Sequence, residues 1–408
     1  MRLLCSLAAV FTLCVPFVAQ TAEPNWPRWR GPQQDGHSAE TDLPVKWTGE
    51  NIVWKTDLPG IGQSSPVIWG DRIFLTAGLD KGAERIVLCV DRKTGKILWQ
   101  QTAWKGAPET VHAMNCWASA TCVTDGELVV AFFGRGGIHA YSAAGEHLWS
   151  RDLGRFEGPW GTAACPILVD DLVIQNCDAD VDAFLIALNK RTGEEVWRTK
   201  RPDHRGWSTP IVVQAAQRRE LVLNGDEGVQ AYDPATGQEL WFCKGFNGRG
   251  EPTVTSAGDL LCVVNGKAGD FYSVRPGGSG DVTESHMAWH TPRKGGRDCP
   301  SPIVVGRYIV VCDMGGIATC YDAEDGHIYW KERLPGKYSG SPIAANGLAY
   351  FLNEDGKTVV IEPGEALKIV AENDLPARKD EIFRASPVPL AGQLFLRSTS
   401  VLYCLGNK

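Results

Sequence analysis

Short apolar runs alternate with polar, glycine-rich turns along the chain once an apolar N-terminal segment has passed. No stretch keeps the 3.6-residue period of an amphipathic helix over several turns. A typical unit has a β-branched run, a polar turn such as Gly70-Asp71, a second apolar run, and a third run of the type Val229–Asp233. The pattern predicts short antiparallel strands joined by tight turns.

In most units a tryptophan follows a recurring glycine turn, whose fullest form is Asp-x-x-Thr-Gly-x-x-x-Trp. The tryptophans at this position are Trp54, Trp99, Trp149, Trp197, Trp241, Trp289 and Trp330. From Trp99 to Trp330 the intervals are 50, 48, 44, 48 and 41 residues, a period typical of propeller blades. We expect the Asp to cap the turn, the Gly to take a positive φ, and the Trp to pack between neighbouring units.

Eight units can be counted from their opening residues, most of which lie at a Ser-Pro or Thr-Pro pair. The openings lie near Ser64, Ser119, Ala163, Ser208, Pro252, Ser301, Ser341 and Ser386. The eighth unit ends near Cys404 after three strands, whereas Thr48–Trp54 supplies an isolated turn and Trp strand before the first unit. The sequence therefore predicts an all-β, eight-bladed β-propeller of four-stranded antiparallel blades, its ring closed by an N-terminal strand.

The first 22 residues have the features of a secretory signal peptide. Arg2 precedes an apolar run from Leu3 to Ala19, and small residues follow at Ala19 and Ala22. The residues before Cys14 lack the small side chains of a lipidation site, so no lipid anchor is expected. We predict a signal peptide at 1–22, an N-terminal extension at 23–44 and one propeller domain at 45–408, in a protein exported to the periplasm or beyond, with no membrane span after signal removal.

The net charge and the cysteine content each exclude one class of protein. The net charge of −7 argues against nucleic acid, because phosphate binding needs an excess of Lys and Arg. Eleven of the 13 cysteines follow the predicted signal peptide. Because their number is odd and they are spread over three hundred residues, they do not indicate a disulfide-stabilised scaffold. Most are expected to be small buried apolar residues, although one or two pairs could oxidise outside the cytoplasm.

Propeller geometry predicts which side chains converge on the central axis. Loops that enter the innermost strands, and loops that join the second strand to the third, lie on one face of such a ring. The ligand-binding candidates on this funnel face are Trp117, Trp160, Arg205, Trp207, Arg249, Glu251, Arg297, Asp298 and Arg384. Aromatic and polar concavities of this kind bind ligands or peptides. For any one of the charged residues we favour the alternative of a structural ion pair that holds the mouth together.

No catalytic motif and no firm metal site emerges from the residues. Asp178, Asp180 and Asp182 alternate in one loop and could converge on Ca²⁺, but without an EF-hand continuation a solvated acidic loop is favoured. His286 and His290 are more consistent with a strand edge than with a zinc pair. Trp26 and Trp29 are expected to plug or cover one mouth of the ring, with Arg30 stacked against an aromatic ring.

The repeated Thr-Gly-x-x-x-Trp ending over residues 45–405 resembles the pyrroloquinoline-quinone-like (PQQ-like) repeat proteins, which form eight-bladed propellers. The segments Trp26–Pro32 and Arg275–Thr283 resemble an exported bacterial subgroup of them. The resemblance implies two classes of function, because the group includes quinoprotein dehydrogenases, which hold the quinone over Ca²⁺, and the BamB-like scaffolds, which need no cofactor.

The dehydrogenase pattern cannot be mapped onto this chain residue by residue. Many alcohol-oxidising members have a vicinal disulfide, and this chain has no adjacent cysteine pair and no Cys-x-x-Cys-His haem motif. We therefore expect a non-catalytic, monomeric scaffold of the cell envelope that binds a protein, glycan or other ligand. The alternative is a PQQ- or metal-dependent oxidoreductase that uses the same funnel.

Overall fold

Eight four-stranded antiparallel sheets follow one another around a ring in a computed structural model that describes residues 25–156, 158–246, 248–267, 269–293, 296–297 and 299–407. Each sheet is one blade, and its innermost strand begins two to four residues after the opening predicted from the sequence. The all-β, eight-bladed architecture is therefore confirmed. The predicted signal peptide lies outside the described residues. No helix in the described part of the chain is long and apolar enough to cross a membrane.

Blades 1 to 4 follow in chain order, and their strands run from the axis outward. Blade 1 consists of Val67–Trp69, Arg72–Leu79, Glu84–Asp91 and Ile97–Lys105. Blade 2 consists of Val123–Thr124, Leu128–Phe132, Ile138–Ser142 and His147–Arg151. Blade 3 consists of Ile167–Val169, Leu172–Cys177, Phe184–Asn189 and Glu195–Lys200. Blade 4 consists of Ile211–Gln214, Arg219–Asn224, Gly228–Tyr232 and Glu239–Lys244.

Blades 5 to 8 complete the ring. Blade 5 consists of Thr255–Ala257, Leu260–Val264, Phe271–Val274 and Met287–Thr291. Blade 6 consists of Ile303–Val305, Tyr308–Cys312, Ile317–Asp322 and Ile328–Arg333. Blade 7 consists of Ile343–Ala345, Leu348–Leu352, Lys357–Glu362 and Lys368–Asp374. Blade 8 consists of Val388–Leu390, Gln393–Arg397 and Val401–Gly406, with Ile52–Asp57 as its outermost strand.

Two short strands and four short helices lie outside this scheme. His37–Ser38 pairs in parallel with the innermost strand of blade 7, and Gly280–Asp281 pairs in parallel with the outermost strand of blade 4. The helices are the 3₁₀ turns Gly49–Asn51, Asp80–Gly82 and Gly134–Gly136 and the α-helical turn Thr283–His286.

The ring closes where the sequence predicts, between the two ends of the propeller. Ile52–Asp57 runs antiparallel to Val401–Gly406, and Ile52 lies opposite Leu405. The outer strand of blade 8 therefore comes from the N-terminal part of the propeller, and Val401–Gly406 is paired on one side with Ile52–Asp57 and on the other with Gln393–Arg397.

The repeated tryptophans join neighbouring blades as predicted. In six of the seven, the indole Nε1 donates a hydrogen bond to a carbonyl oxygen in the last turn of the next blade, as in Trp54 to Arg92 at 3.0 Å and Trp149 to Lys190 at 2.9 Å. The turn glycine lies against the indole with a positive φ, for example 69° at Gly193. A Cβ at Gly193 would come within 2.6 Å of Trp149, so glycine is required by both conformation and space.

Trp241 of blade 4 is the exception, because blade 5 has the insertion Arg275–His286 in place of the short turn. Nε1 of Trp241 donates to the buried carboxylate of Glu220 at 2.8 Å. The same carboxylate accepts from the backbone N–H of Gly277, and Arg218 pairs with it at 2.8 Å. The insertion therefore supplies part of the contact that the short turn makes elsewhere in the ring.

The apolar core is divided among the interfaces between successive blades. One cluster joins Val130 and Phe132 of blade 2 to Val173 and Ile186 of blade 3, and similar clusters lie between the other pairs. Each blade buries both faces, so its middle strands are apolar almost without interruption. Polar residues are left for the loops at the two ends of the ring.

Candidate functional site

A closed ring of hydrogen bonds surrounds the axis at the entrance to the innermost strands. One backbone N–H in each blade donates to a side chain of the next blade, at distances of 2.8 to 3.2 Å. The residues of this axial ring are Ser65, Thr121, Cys165, Thr209, Thr253, Ser301, Ser341 and Ser386. Seven hydroxyls and one thiol thus satisfy the backbone of loops that are too buried to reach water.

The N-terminal extension fills the channel beyond the axial ring. Residues 26–38, here called the plug, bond to inner strands or their entering loops all around the ring: Trp26 to Ile68, Pro27 to Thr124, Arg28 to Leu168, Gln34 to Pro210 and Val212, Arg30 to Thr255 and Pro302, Gly36 to Ala344, and Trp29 to Ser386. Every blade is contacted. The prediction that Trp26 and Trp29 plug one mouth is confirmed, and the guanidinium of Arg30 lies 5.9 Å from the ring centre of Trp29.

The plug and the axial ring form the floor of a cavity of about 190 Å³ on the funnel face. Trp29 and six members of the axial ring lie at its base, and loops of several blades form its walls. The wall residues are Gln63, His112, Met114, Asn115, Ser119, Trp160, Ala163, Trp207, Glu251, Arg297, Cys299, Ser339, Gly340 and Arg384. A dry cavity of about 150 Å³ can hold benzene, so this space admits a small organic group.

Five of the nine predicted funnel residues line the cavity. They are Trp160, Trp207, Glu251, Arg297 and Arg384. Trp117 instead packs over the turn at Gly82 and donates to the carbonyl of Glu109. Asp298 lies outside the described residues.

Arg205 and Arg249 are not among the residues that line the cavity, but both lie close to Trp160. Their guanidinium carbons are 5.3 and 5.7 Å from the ring centre of Trp160, and Arg205 also pairs with Asp180 at 2.7 Å. At these distances each guanidinium is attracted to the face of the indole, which favours the observed position of Trp160.

The walls are held by hydrogen bonds and ring contacts. His112 lies against Trp160 with 5.0 Å between ring centres, and Asn115 donates to the carbonyl of Trp160 at 2.9 Å. Trp207 donates to the carbonyl of Gly161. Indole Nε1 of Trp160 and Nε of Arg297 are buried and have no hydrogen-bond partner among the described residues. Both atoms are enclosed by protein, so the cavity presents the flat faces of the indoles together with other polar side chains of the walls.

The acidic loop that alternates Asp178, Asp180 and Asp182 contributes ion pairs. Asp178 pairs with the buried Arg201 at 2.6 Å, and Asp180 pairs with Arg205. The solvated acidic loop favoured from the sequence is therefore wrong for Asp178, whose side chain is 4% exposed because it pairs with a buried arginine. His290 pairs with Asp270 and stacks on Phe246 at 3.6 Å between ring centres, whereas His286 bonds to Ser285, so the two histidines have separate partners.

A quinone held over Ca²⁺ needs several oxygen ligands that converge on one point. Among the described residues that line the cavity, Glu251 is the one with a carboxylate. The nearby carboxylates of Asp178 and Asp180 are already paired with arginines. Across the described part of the chain, no three His, Cys, Asp or Glu side chains lie close enough together to hold a metal. The residues that the structure describes do not fit a Ca²⁺-bound quinone.

Sequence reasoning missed Trp29, His112, Met114 and Cys299 as cavity residues. The Ser-Pro and Thr-Pro openings were a signal for the axial ring, because the residue before each proline is the one whose side chain faces the axis. Trp29 carried no comparable signal, since its place depends on where a non-repetitive segment crosses the ring.

Cys299 offers a direct probe of the cavity. The other cysteines that the structure describes are buried, and burial raises the pKa of the Cys89, Cys122 and Cys262 thiols to about 12. We expect iodoacetamide at pH 8 to modify about one thiol per native molecule, at Cys299, because only a thiolate reacts. Intact mass and peptide mapping measure this. Rapid labelling of several buried cysteines without denaturant would contradict the packing described above.

Similarities to known proteins agree with the architecture. Outer membrane protein assembly factor BamB of Burkholderia pseudomallei is 23% identical over 73% of this chain and 84% of its own length. A europium-containing methanol dehydrogenase superposes with a TM-score of 0.72 at 12% identity, covering 94% of this chain and 98% of that one. BamB from Moraxella catarrhalis superposes with a TM-score of 0.62 at 17% identity, covering 88% and 97%.

Both structural neighbours share the ring of blades, and at these identities they show the fold alone. The family model described as outer membrane protein assembly factor BamB matches residues 45–158, 134–286 and 275–368. Together these ranges span most of the propeller. The chain belongs to that family.

Proposed function

We propose that the protein is a non-catalytic binding scaffold of the cell envelope whose funnel cavity binds the end of a glycan. The observation that carries this proposal is the cavity itself: three indoles, at Trp29, Trp160 and Trp207, surround a space closed below by the axial ring and the plug. Rigid flat apolar surfaces with a few fixed polar groups are typical of specific small-ligand sites.

Saccharide chemistry suits the mixture of groups in the walls. A sugar ring has an apolar face that stacks on indole, and its hydroxyls both donate and accept hydrogen bonds. Arg297 and Arg384 supply guanidinium groups, Asn115 and Gln63 supply amides, and Glu251 supplies a carboxylate. The arrangement needs no bond to be made or broken, and the described residues provide no nucleophile paired with a base and aimed into the cavity.

Membership in the BamB family supports a scaffold of the envelope. The relative from Burkholderia pseudomallei is named as an assembly factor of outer membrane proteins, and it matches this chain over most of its length. Export agrees with the signal-like segment at residues 1–22.

Glycan binding can be tested by saturation-transfer NMR with short envelope oligosaccharides. We expect saturation of the sugar protons by wild-type protein, at least tenfold weaker binding with Trp160→Ala, and unchanged binding with Trp69→Ala. Trp69 is a matched control because it is an exposed tryptophan at the far end of an innermost strand. Signals that are equal in the two variants would contradict binding in the funnel.

The oxidoreductase alternative has its own readout. Purified protein is mixed with pyrroloquinoline quinone and Ca²⁺, and absorbance and alcohol- or sugar-dependent dye reduction are followed. We expect neither a saturable spectral change nor turnover. A saturable change with substrate-dependent dye reduction, lost in Arg297→Met, would replace the scaffold proposal with an enzymatic one.

A further inference from the structure

The two sides of the funnel cavity differ in chemistry. Trp160 and Trp207 belong to the loops that enter blades 3 and 4, whereas the charged residues Glu251, Arg297 and Arg384 belong to the loops that enter blades 5, 6 and 8. In a ring of eight blades, blades 3 and 4 lie across the axis from blades 7 and 8. A ligand in the cavity therefore meets aromatic faces on one side and charged side chains on the other.

Four loops that enter innermost strands, those of blades 4, 5, 6 and 8, each contribute an arginine to this end of the ring: Arg205, Arg249, Arg297 and Arg384. Two of the four are paired with carboxylates. Arg205 pairs with Asp180 at 2.7 Å, and Arg384 pairs with Glu354 at 3.0 Å. Nη1 of Arg384 also donates to the carbonyl oxygen of Ala113 at 3.1 Å. The charges of these two arginines are thus balanced within the protein.

The other two arginines form no ion pair with the residues that the structure describes. The guanidinium of Arg249 lies 5.7 Å from the ring centre of Trp160. Arg297 lines the cavity. Its Nε is enclosed by protein, whereas Nη1 and Nη2 are accessible and have no hydrogen-bond partner in the described part of the chain. Arg297 can therefore pair with a ligand without giving up a contact that the structure shows.

Glu251 offsets only part of this positive charge. Its carboxylate lies in the same wall, and no ion pair joins it to Arg249 or Arg297. Two guanidiniums against one carboxylate leave these three described residues with a surplus of one positive charge, although the whole chain carries −7. A positive surplus around an enclosed cavity attracts anions.

We infer that the sugar bound in the funnel is acidic, with a carboxylate that pairs with Arg297 and a ring that stacks on the indoles across the cavity. This inference rests on the proposed function and adds the chemical class of the ligand to it. A guanidinium presents two parallel N–H groups that match the two oxygens of a carboxylate. One surplus charge suits a carboxylate better than a phosphate monoester, which carries about −1.5 to −2 at neutral pH.

Matched disaccharides test the charge of the ligand. Digalacturonate and galactobiose differ at C6, where the first has a carboxylate and the second a hydroxymethyl group, and cellobiouronic acid and cellobiose repeat the comparison with another ring configuration. Affinities for the wild-type protein are measured by NMR titration. We expect the acidic sugar of a pair to bind about tenfold more tightly, as a hydrogen-bonded charge pair requires. Equal affinities would overturn the inference and leave the glycan proposal standing, whereas binding of none of the four would overturn both.

Variants assign the preference to one side chain. Arg297→Met is expected to lower the affinity for the acidic sugar to that for the neutral one, whereas Trp160→Ala should weaken both. Arg198→Met is the control and should keep the preference, because Arg198 forms an exposed pair with Glu195 on the outer strand of blade 3. A preference that persists in Arg297→Met would overturn the assignment of the carboxylate to Arg297.

Two measurements on the wild-type protein do not depend on how a variant folds. The preference for the acidic sugar should fall several-fold between about 0.05 M and about 0.5 M sodium chloride, because salt screens a charge pair that is open to solvent. Galactose 6-phosphate should compete less well than galacturonate. A preference that salt does not change, or tighter binding of the phosphate, would overturn the pairing of a carboxylate with Arg297.

Discussion

A chain that begins at residue 59 is expected to lose its cooperative unfolding transition and to associate in solution. The truncation removes Ile52–Asp57, so Val401–Gly406 becomes an open edge beside an otherwise closed ring. It also removes the indole of Trp54, which bonds to blade 1 and packs on Phe395. An exposed strand edge is a template for pairing with another chain. Scanning calorimetry and light scattering measure both effects.

The matched control begins at residue 45, which removes the plug and keeps the closing strand. This protein is expected to remain monomeric and to unfold in one transition, at a melting temperature lowered by the lost plug contacts. If the two truncations behave alike, closure by Ile52–Asp57 is not what holds the ring together.

Replacement of a turn glycine by alanine is expected to cost far more at Gly193 than at Gly258. Both glycines have positive φ, 69° and 59°, so an alanine is strained by roughly 1 kcal/mol at either position. A Cβ at Gly193 would also come within 2.6 Å of Trp149, whereas at Gly258 it would meet nothing within 4 Å. We expect a loss of about 2–4 kcal/mol for Gly193→Ala and about 1 kcal/mol for Gly258→Ala, measured by urea unfolding.

A second variant separates packing from strain. Trp149→Leu removes the ring that the new methyl group would strike, so the additional cost of Gly193→Ala should shrink in that background. A double-mutant cycle measures the coupling. A cost that stays the same in both backgrounds would show that the tryptophan does not constrain the turn.

The fold could be predicted from the sequence because the blades repeat one local pattern of short strands and turns. The Ala-Gly turn before Trp149 and the Thr-Gly turn before Trp197 each fix a positive φ and place an indole against the next blade, and both requirements are visible in neighbouring residues. Ring closure was visible for the same reason, since Thr48–Trp54 is the missing part of a unit that otherwise ends near Cys404.

The candidate site was only partly predictable because its residues lie in loops that do not repeat. Trp160 and Trp207 follow from their place before an innermost strand. Trp117 occupies a comparable place in the sequence, but its side chain packs on Gly82 instead. Arg205 does not line the cavity as predicted, and its guanidinium pairs with the carboxylate of Asp180. The sequence does not show that these two residues meet.

The closing strand sets the order in which this protein can finish folding. Ile52 is synthesised about 350 residues before its partner Leu405. Contacts that join such distant residues form slowly, because a long loop must first be closed. Until Val401–Gly406 has been made, Ile52–Asp57 has no partner strand. Blade 8 can therefore form only after both Ile52–Asp57 and Val401–Gly406 have been made. We expect a chain that lacks Val401–Gly406 to be as susceptible to proteases as a chain that lacks Ile52–Asp57.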